Sequence, residues 1–235
     1  MNVLAIDTTL GACSAALYKS GEIHHLRELM ERGHAEKIMP MIEKLRADAN
    51  IEFSKINRIA VTSGPGTFTG VRIGIAAARG LALALGCEMF HETSLRIIAL
   101  KALKELESEM SKHFLTVAMD ARRGEVYLQS FDRDGLPINE PAAVTPVEAL
   151  VVIEEHAQKT GETSTVIGSA LNILKDAGLD PRHKLAIDMQ GIQPDARELA
   201  ELAANATELS KHVSPLYLRA PDAKPQIGKS VLRAG

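Results

Sequence analysis

Residues 62–74 read Thr-Ser-Gly-Pro-Gly-Thr-Phe-Thr-Gly-Val-Arg-Ile-Gly, and no other stretch limits the fold as much. The apolar run before it, residues 58–62, reads as a buried strand. The small-residue run after it, residues 73–85, reads as a helix. Between them Gly64, Pro65 and Gly66 break regular structure and permit a tight turn. Thr67 or Thr69 can cap the helix. Such a turn can aim backbone N–H groups at a phosphate, or it can simply join strand to helix. It matches neither the P-loop nor the Gly-x-Gly-x-x-Gly dinucleotide pattern.

The helix that follows has one nearly bare side, made by Gly70, Gly74, Ala77 and Ala78. Glycine inside a helix costs about 1 kcal/mol relative to alanine. Gly70, Gly74 and Gly80 therefore need a reason, and close packing against another helix supplies one. That helix belongs either to this chain or to a partner.

With 235 residues the chain suffices for one large domain or two lobes. Net charge is −3 from 27 basic and 30 acidic side chains, so bulk charge does not indicate nucleic-acid binding. Aromatic residues are 3% and tryptophan is absent, which argues against a stacking platform for single strands. The two cysteines, Cys13 and Cys87, lie in apolar runs and read as small hydrophobes in a reducing compartment. No Cys/His spacing resembles a zinc site. The first residues enter a strand without a signal-peptide pattern. The apolar run at 73–85 is broken by Arg79 and is short for a bilayer. The expectation is a cytoplasmic protein with no membrane contact.

Taken in order, residues 3–7, 13–19 and 22–28 read as three strands, the last two joined at Ser20-Gly21. A helix starts near Gly33 or His34, with Ile38, Met41, Ile42 and Leu45 on one stripe. A strand at 59–63, the glycine turn, the small-residue helix, a strand at 87–91 and a helix from Thr93 or Ser94 to about Ser111 follow. The second half repeats the opening: a strand at 114–120 ending in an Asp, a turn, and a strand at 125–131. A helix from Pro146, a strand at 163–168 and a helix at 196–207 capped by Asp195 complete the reading. The shared order predicts a duplicated α/β unit of βββαβαβα type. The lobes are expected at 1–112 and 113–235, with a mobile tail.

Four segments together, Leu4-Ala-Ile-Asp-Thr-Thr9, the 63–74 block, Met119-Asp-Ala-Arg-Arg-Gly-Glu-Val-Tyr127 and Pro215-Leu-Tyr-Leu-Arg219, resemble the TsaB (YeaZ) family from end to end. Members take part in making threonylcarbamoyladenosine at position 37 of tRNA. The resemblance implies the two-lobed actin/hexokinase-like ATPase fold of ribonuclease H type. It also implies a subunit that is not itself the catalyst. Such a subunit pairs with the catalytic paralogue TsaD, helps recruit the ATPase TsaE, forms homodimers when alone, and meets tRNA only through the complex. On this resemblance the pairing surface comprises His34, Ile38, Met41, Ile42 and Leu45 of one helix and Thr69, Gly70, Arg72, Ile73, Gly74, Ala77 and Ala78 of the next. No cofactor is expected in the chain itself; ATP or ADP with Mg²⁺ belongs to the assembled complex.

The family's catalytic paralogue carries a His-x-x-x-His metal pair, and here His34 is followed by Ile38. One imidazole does not make a metal site, which usually needs three protein ligands. The paralogue's glycine-rich adenine motif is reduced here to Val166-Ile-Gly-Ser-Ala170. Asp7, Thr8, Thr9 and Asp120 stay as the nucleotide-proximal candidates. Asp7 and Asp120 read as a magnesium-linked pair or as turn-forming carboxylates. Arg72 and Arg79, seven apart, read as partner contacts or solvated charges. Arg122 and Arg123 read as phosphate contacts or as loop solvation. A stand-alone ATPase or metal-dependent peptidase is the alternative.

Overall fold

The computed structural model describes residues 1–106 and 113–219. The last residues of the expected third helix, up to Ser111, and the expected mobile tail beyond 219 lie outside the described residues. The described strands form two five-stranded sheets. The first contains β1 (Asn2–Asp7), β2 (Ala12–Lys19), β3 (Glu22–Leu29), β4 (Arg58–Thr62) and β5 (Glu88–Glu92), in the order β3-β2-β1-β4-β5. The second contains β6 (His113–Arg122), β7 (Glu125–Phe131), β8 (Ala142–Val144), β9 (Thr163–Ile167) and β10 (Lys184–Leu185), in the order β10-β9-β6-β7-β8.

The pairing is the same in both. β1 runs antiparallel to β2 and parallel to β4, and β6 runs antiparallel to β7 and parallel to β9. The helices are α1 (His34–Asp48), α2 (Phe68–Leu85), α3 (Ser94–Glu105), α4 (Pro146–Thr160), α5 (Leu171–Asp176) and α6 (Ala196–Asn205). Each half therefore reads βββαβαβα, the duplicated α/β order of the two-lobed actin/hexokinase-like fold.

Each sheet is buried on both faces. Leu4, Ile6, Ala15, Leu17, Ile59 and Val61 pack against α1 and α2. Val3, Ala5, Ala16 and Ala60, on the opposite pleat, pack against α6 and Ile97 of α3. In the second sheet Phe114, Ala118, Val126 and Leu128 pack against α4 and α5. Leu115, Val117 and Phe131 pack against Leu95, Ile98 and Ala102 of α3. The sheets divide near residue 112, but the helices do not follow that division. The first half's α3 covers the second sheet, and the second half's α6 covers the first. The apolar face of α6 (Ala196, Leu199, Ala200, Ala203) packs on the Val3, Ala5, Ala16 and Ala60 pleat of β1, β2 and β4.

Helix α2 begins at Phe68, ahead of the small-residue run, with Thr67, one of the two expected caps, accepting the Gly70 N–H at 3.1 Å. At 18 residues and a mean hydropathy of 1.4 it is long and apolar enough to cross a membrane by those two measures, contrary to the expectation. Its glycine side nevertheless lies on the sheet, against Thr8 and Val61.

Candidate partner surface and interlobe hairpins

The glycine block sits directly on the β1–β2 hairpin. A Cβ at Gly66 would stand 2.3 Å from the Thr9 carbonyl oxygen, and one at Gly74 would stand 2.7 Å from Thr8 Oγ1. The Thr8 hydroxyl donates to the Gly70 carbonyl at 2.7 Å. Thr67 N–H donates to the Thr9 carbonyl at 2.8 Å. The glycines of α2 thus lie against the chain's own Thr8.

This placement closes the first hairpin. Asp7, Thr8 and Thr9 are at most 1% exposed. Asp7 Oδ1 accepts the Thr9 hydroxyl at 2.7 Å, the Thr9 N–H at 3.3 Å and the Thr62 hydroxyl. Asp7 Oδ2 is buried with no hydrogen-bond partner. Burial pushes the Asp7 carboxyl above its usual range, outweighing the hydrogen bonds from Thr62 and Thr9. Asp7, Thr8 and Thr9 are therefore internal to the fold. No group of three or more His, Cys, Asp or Glu side chains with metal-holding geometry occurs among the described residues.

Asp120 is different. It is exposed, and β6 continues past it through an irregularity to Arg122. Its carboxylate accepts the Arg122 N–H at 2.7 Å, and its own N–H donates to Ser169 Oγ at 2.9 Å. Arg122, Arg123 and Gly124 have φ of 62°, 55° and 79°. Two successive non-glycine residues in that region store backbone strain. Asp120 is thus a turn-forming carboxylate, unlike the fully buried Asp7.

The expected helix surface is rearranged in the same way. His34, Ile38, Met41, Ile42 and Leu45 are all buried. They face β2 and β3, and His34 Nε2 lies 3.1 Å from the Leu10 carbonyl. Gly70, Gly74 and Ala78 are buried as well. All eight are buried within this chain, since an apolar stripe is spent first on a helix's own sheet. Thr69 and Arg72 are exposed, and Ile73 and Ala77 are half-buried. The outward face adds Phe68, Ala76, Leu83 and Ala84, none of them among the expected pairing residues. Leu83 is 86% exposed.

Two features carry more than the sequence reading gave them. Asp195 caps α6 as expected, accepting the Arg197 N–H, and it also gathers three basic side chains from other elements. His25 Nε2 lies at 2.6 Å, Arg27 Nε at 3.6 Å and Lys101 Nζ at 3.7 Å from its carboxylate. Burial acts upward on this carboxyl, but the His25 hydrogen bond, the Arg197 N–H and the nearby positive charges together bring it below its usual range. The second feature is the segment 209–219. Ser210 pairs with Met89 beside β5, Leu216 N–H donates to the Ser63 carbonyl at 2.7 Å, and Arg219 reaches the second sheet. Arg219 Nη1 donates to the Ala121 carbonyl at 2.9 Å, and its Nε lies 2.8 Å from Glu125 Oε2. The Pro-Leu-Tyr-Leu-Arg motif is this strap between lobes.

Residues 26–225 match the family model described as TsaD, tRNA N6-adenosine threonylcarbamoyltransferase. The tRNA threonylcarbamoyladenosine biosynthesis protein TsaB of Escherichia coli strain K12 is 34% identical over 93% of this chain and 95% of its own length. The chain belongs to the TsaB family. Its Buchnera aphidicola (Schizaphis graminum) member is 32% identical over 74% of this chain and 80% of its own length. The solved structure of YeaZ from Pseudomonas aeruginosa superposes with a TM-score of 0.80 at 29% identity, over 92% of this chain and 99% of that one. The duplicated fold and the closed glycine turn are therefore read in a family tied to threonylcarbamoyladenosine synthesis on tRNA.

Proposed function

We propose that this chain is a non-catalytic subunit of the machinery that makes N6-threonylcarbamoyladenosine in tRNA. It pairs with a TsaD-type catalytic subunit, supports it, and helps recruit a TsaE-type ATPase. The observation that carries this reading is α2, an 18-residue apolar helix that leaves Phe68, Ala76, Leu83 and Ala84 exposed. Exposed apolar side chains grouped in this way are surface of the kind that marks association. The closed Asp7-Thr8-Thr9 hairpin supports a role without catalysis. ATP or ADP and Mg²⁺ act in the assembled complex, and tRNA is met through it. Without the paralogue, two copies of the chain pair through the same face. The setting is the cytoplasm.

A stand-alone ATPase or metal-dependent peptidase is the rival, and the unpartnered Asp7 Oδ2 is the one observation in its favour. Light scattering of the chain alone and mixed with TsaD from the same organism separates the two. The subunit reading expects a homodimer that gives way to a mixed complex. An unchanged mass, with ATP turnover by the isolated chain, would sink it.

A further inference from the structure

Among the described residues, Arg72 is an exposed cation that makes no ion pair, and yet it is held. Its guanidinium carbon sits 3.4 Å from the centroid of the Phe68 ring, and its Nε donates to the Tyr217 hydroxyl at 2.7 Å. The two rings stack with centroids 5.8 Å apart and planes 25° from parallel. Phe68 is 54% and Tyr217 44% exposed. Two side chains on different segments therefore fix one guanidinium in the open. Such a fork matches a carboxylate, and fixing it in advance lowers the entropy lost on binding. Helix α2 contains no Asp or Glu that could serve as its partner.

The stack also has the make-up of a binding hot spot, with aromatic rings and an arginine beside apolar surface. It continues into the outward face of α2, along Ile73, Ala76 and Ala77. We propose that Arg72, clamped by Phe68 and Tyr217, is a receptor for a carboxylate of the partner protein. Tyr217, delivered by the strap 209–219, is its positioning residue. This rests on the subunit reading above and adds the chemistry by which the partner is held.

The test is titration calorimetry of this chain with TsaD from the same organism, at low and at physiological salt. Arg72→Gln weakens binding by about 10- to 100-fold, the range of a charged hydrogen bond, and lessens its salt dependence. Tyr217→Phe, which keeps the ring and loses the hydroxyl, weakens it less. Arg72→Lys, which keeps the charge without the fork, does not restore it. Lys175→Gln, an exposed charge on α5 away from this face, serves as the control, and unchanged melting of each variant shows that the fold is kept. Wild-type affinity in Arg72→Gln would overturn the carboxylate receptor and leave the subunit reading standing. Absence of any complex with the wild-type chain would overturn both.

Discussion

The carbonyl oxygen of Thr8 occupies the space beside Gly70 so closely that a Cβ there would come within 2.1 Å of it. No flexible atom can give way, since the obstacle is backbone. Gly70→Ala should cost about 3 kcal/mol, the upper range of overpacking. Gly80 has nothing within 4 Å of the same position and is exposed in mid-helix. Gly80→Ala should therefore stabilise by about 1 kcal/mol. Urea unfolding of the two variants gives opposite shifts in midpoint. A mild Gly70→Ala would mean that α2 can slide off the hairpin.

The two faces of the helical layer should separate stability from association. Ile38 is 2% exposed and packs on the first sheet, so Ile38→Ala should cost about 2–4 kcal/mol. Leu83→Ser should change stability by less than about 0.5 kcal/mol and weaken association with the partner. Denaturation and light scattering on the same samples check both. Loss of folding in Leu83→Ser would move that face into the core.

Asp7 and Asp195 pull stability in opposite directions with pH. Asp7 has a raised pKa, so its folded form keeps a proton that the unfolded chain releases above its ordinary 3.8. Stability from this group is fully present below that value and is lost as pH rises through the folded one. Asp195 has a lowered pKa, so its contribution is present above 3.8 and is lost as pH falls through the folded value. Asp7→Asn should flatten the profile on its alkaline side. Asp195→Asn should flatten the acid side and cost about 1–2 kcal/mol at neutral pH through the weakened cap and unpaired cations. Urea midpoints across the pH range read both slopes, and parallel profiles for the wild type and either variant would contradict the assignment.

The strap should be felt in the second lobe. Arg219→Gln removes the bonds to Ala121 and Glu125 that brace a strained turn. Amide exchange across residues 120–126 should rise about fivefold, the worth of one net hydrogen bond. Exchange in β1 should stay unchanged. Equal exchange at the hairpin would show that Asp120 and Ser169 suffice to hold it.

Most of this architecture was legible in the sequence because strands of five or more apolar residues and helices of three turns leave periodic signals. The order βββαβαβα could be read in full only in the first half. β8 has three residues, β10 two and α5 six, too few for a period to show. The site was less legible. The stripe Ile38–Met41–Ile42–Leu45 reports which side of α1 is apolar, not what covers it, and the chain's own sheet takes that side. The bare edge of Gly70 and Gly74 likewise predicts close approach, but the approaching residue is Thr8, by its carbonyl at Gly70 and its hydroxyl at Gly74, rather than a second helix. Arg72 was singled out by its place on the helix. Its clamp was not, because Tyr217 lies 145 residues away.

The exchange of helices between the halves also sets a timetable for synthesis. The first sheet emerges from the ribosome with its Val3–Ala5–Ala16–Ala60 face bare, and α6, which covers that face, starts only at Ala196. The half made first is thus the half completed last, and the nascent chain must carry an open apolar surface through most of its translation.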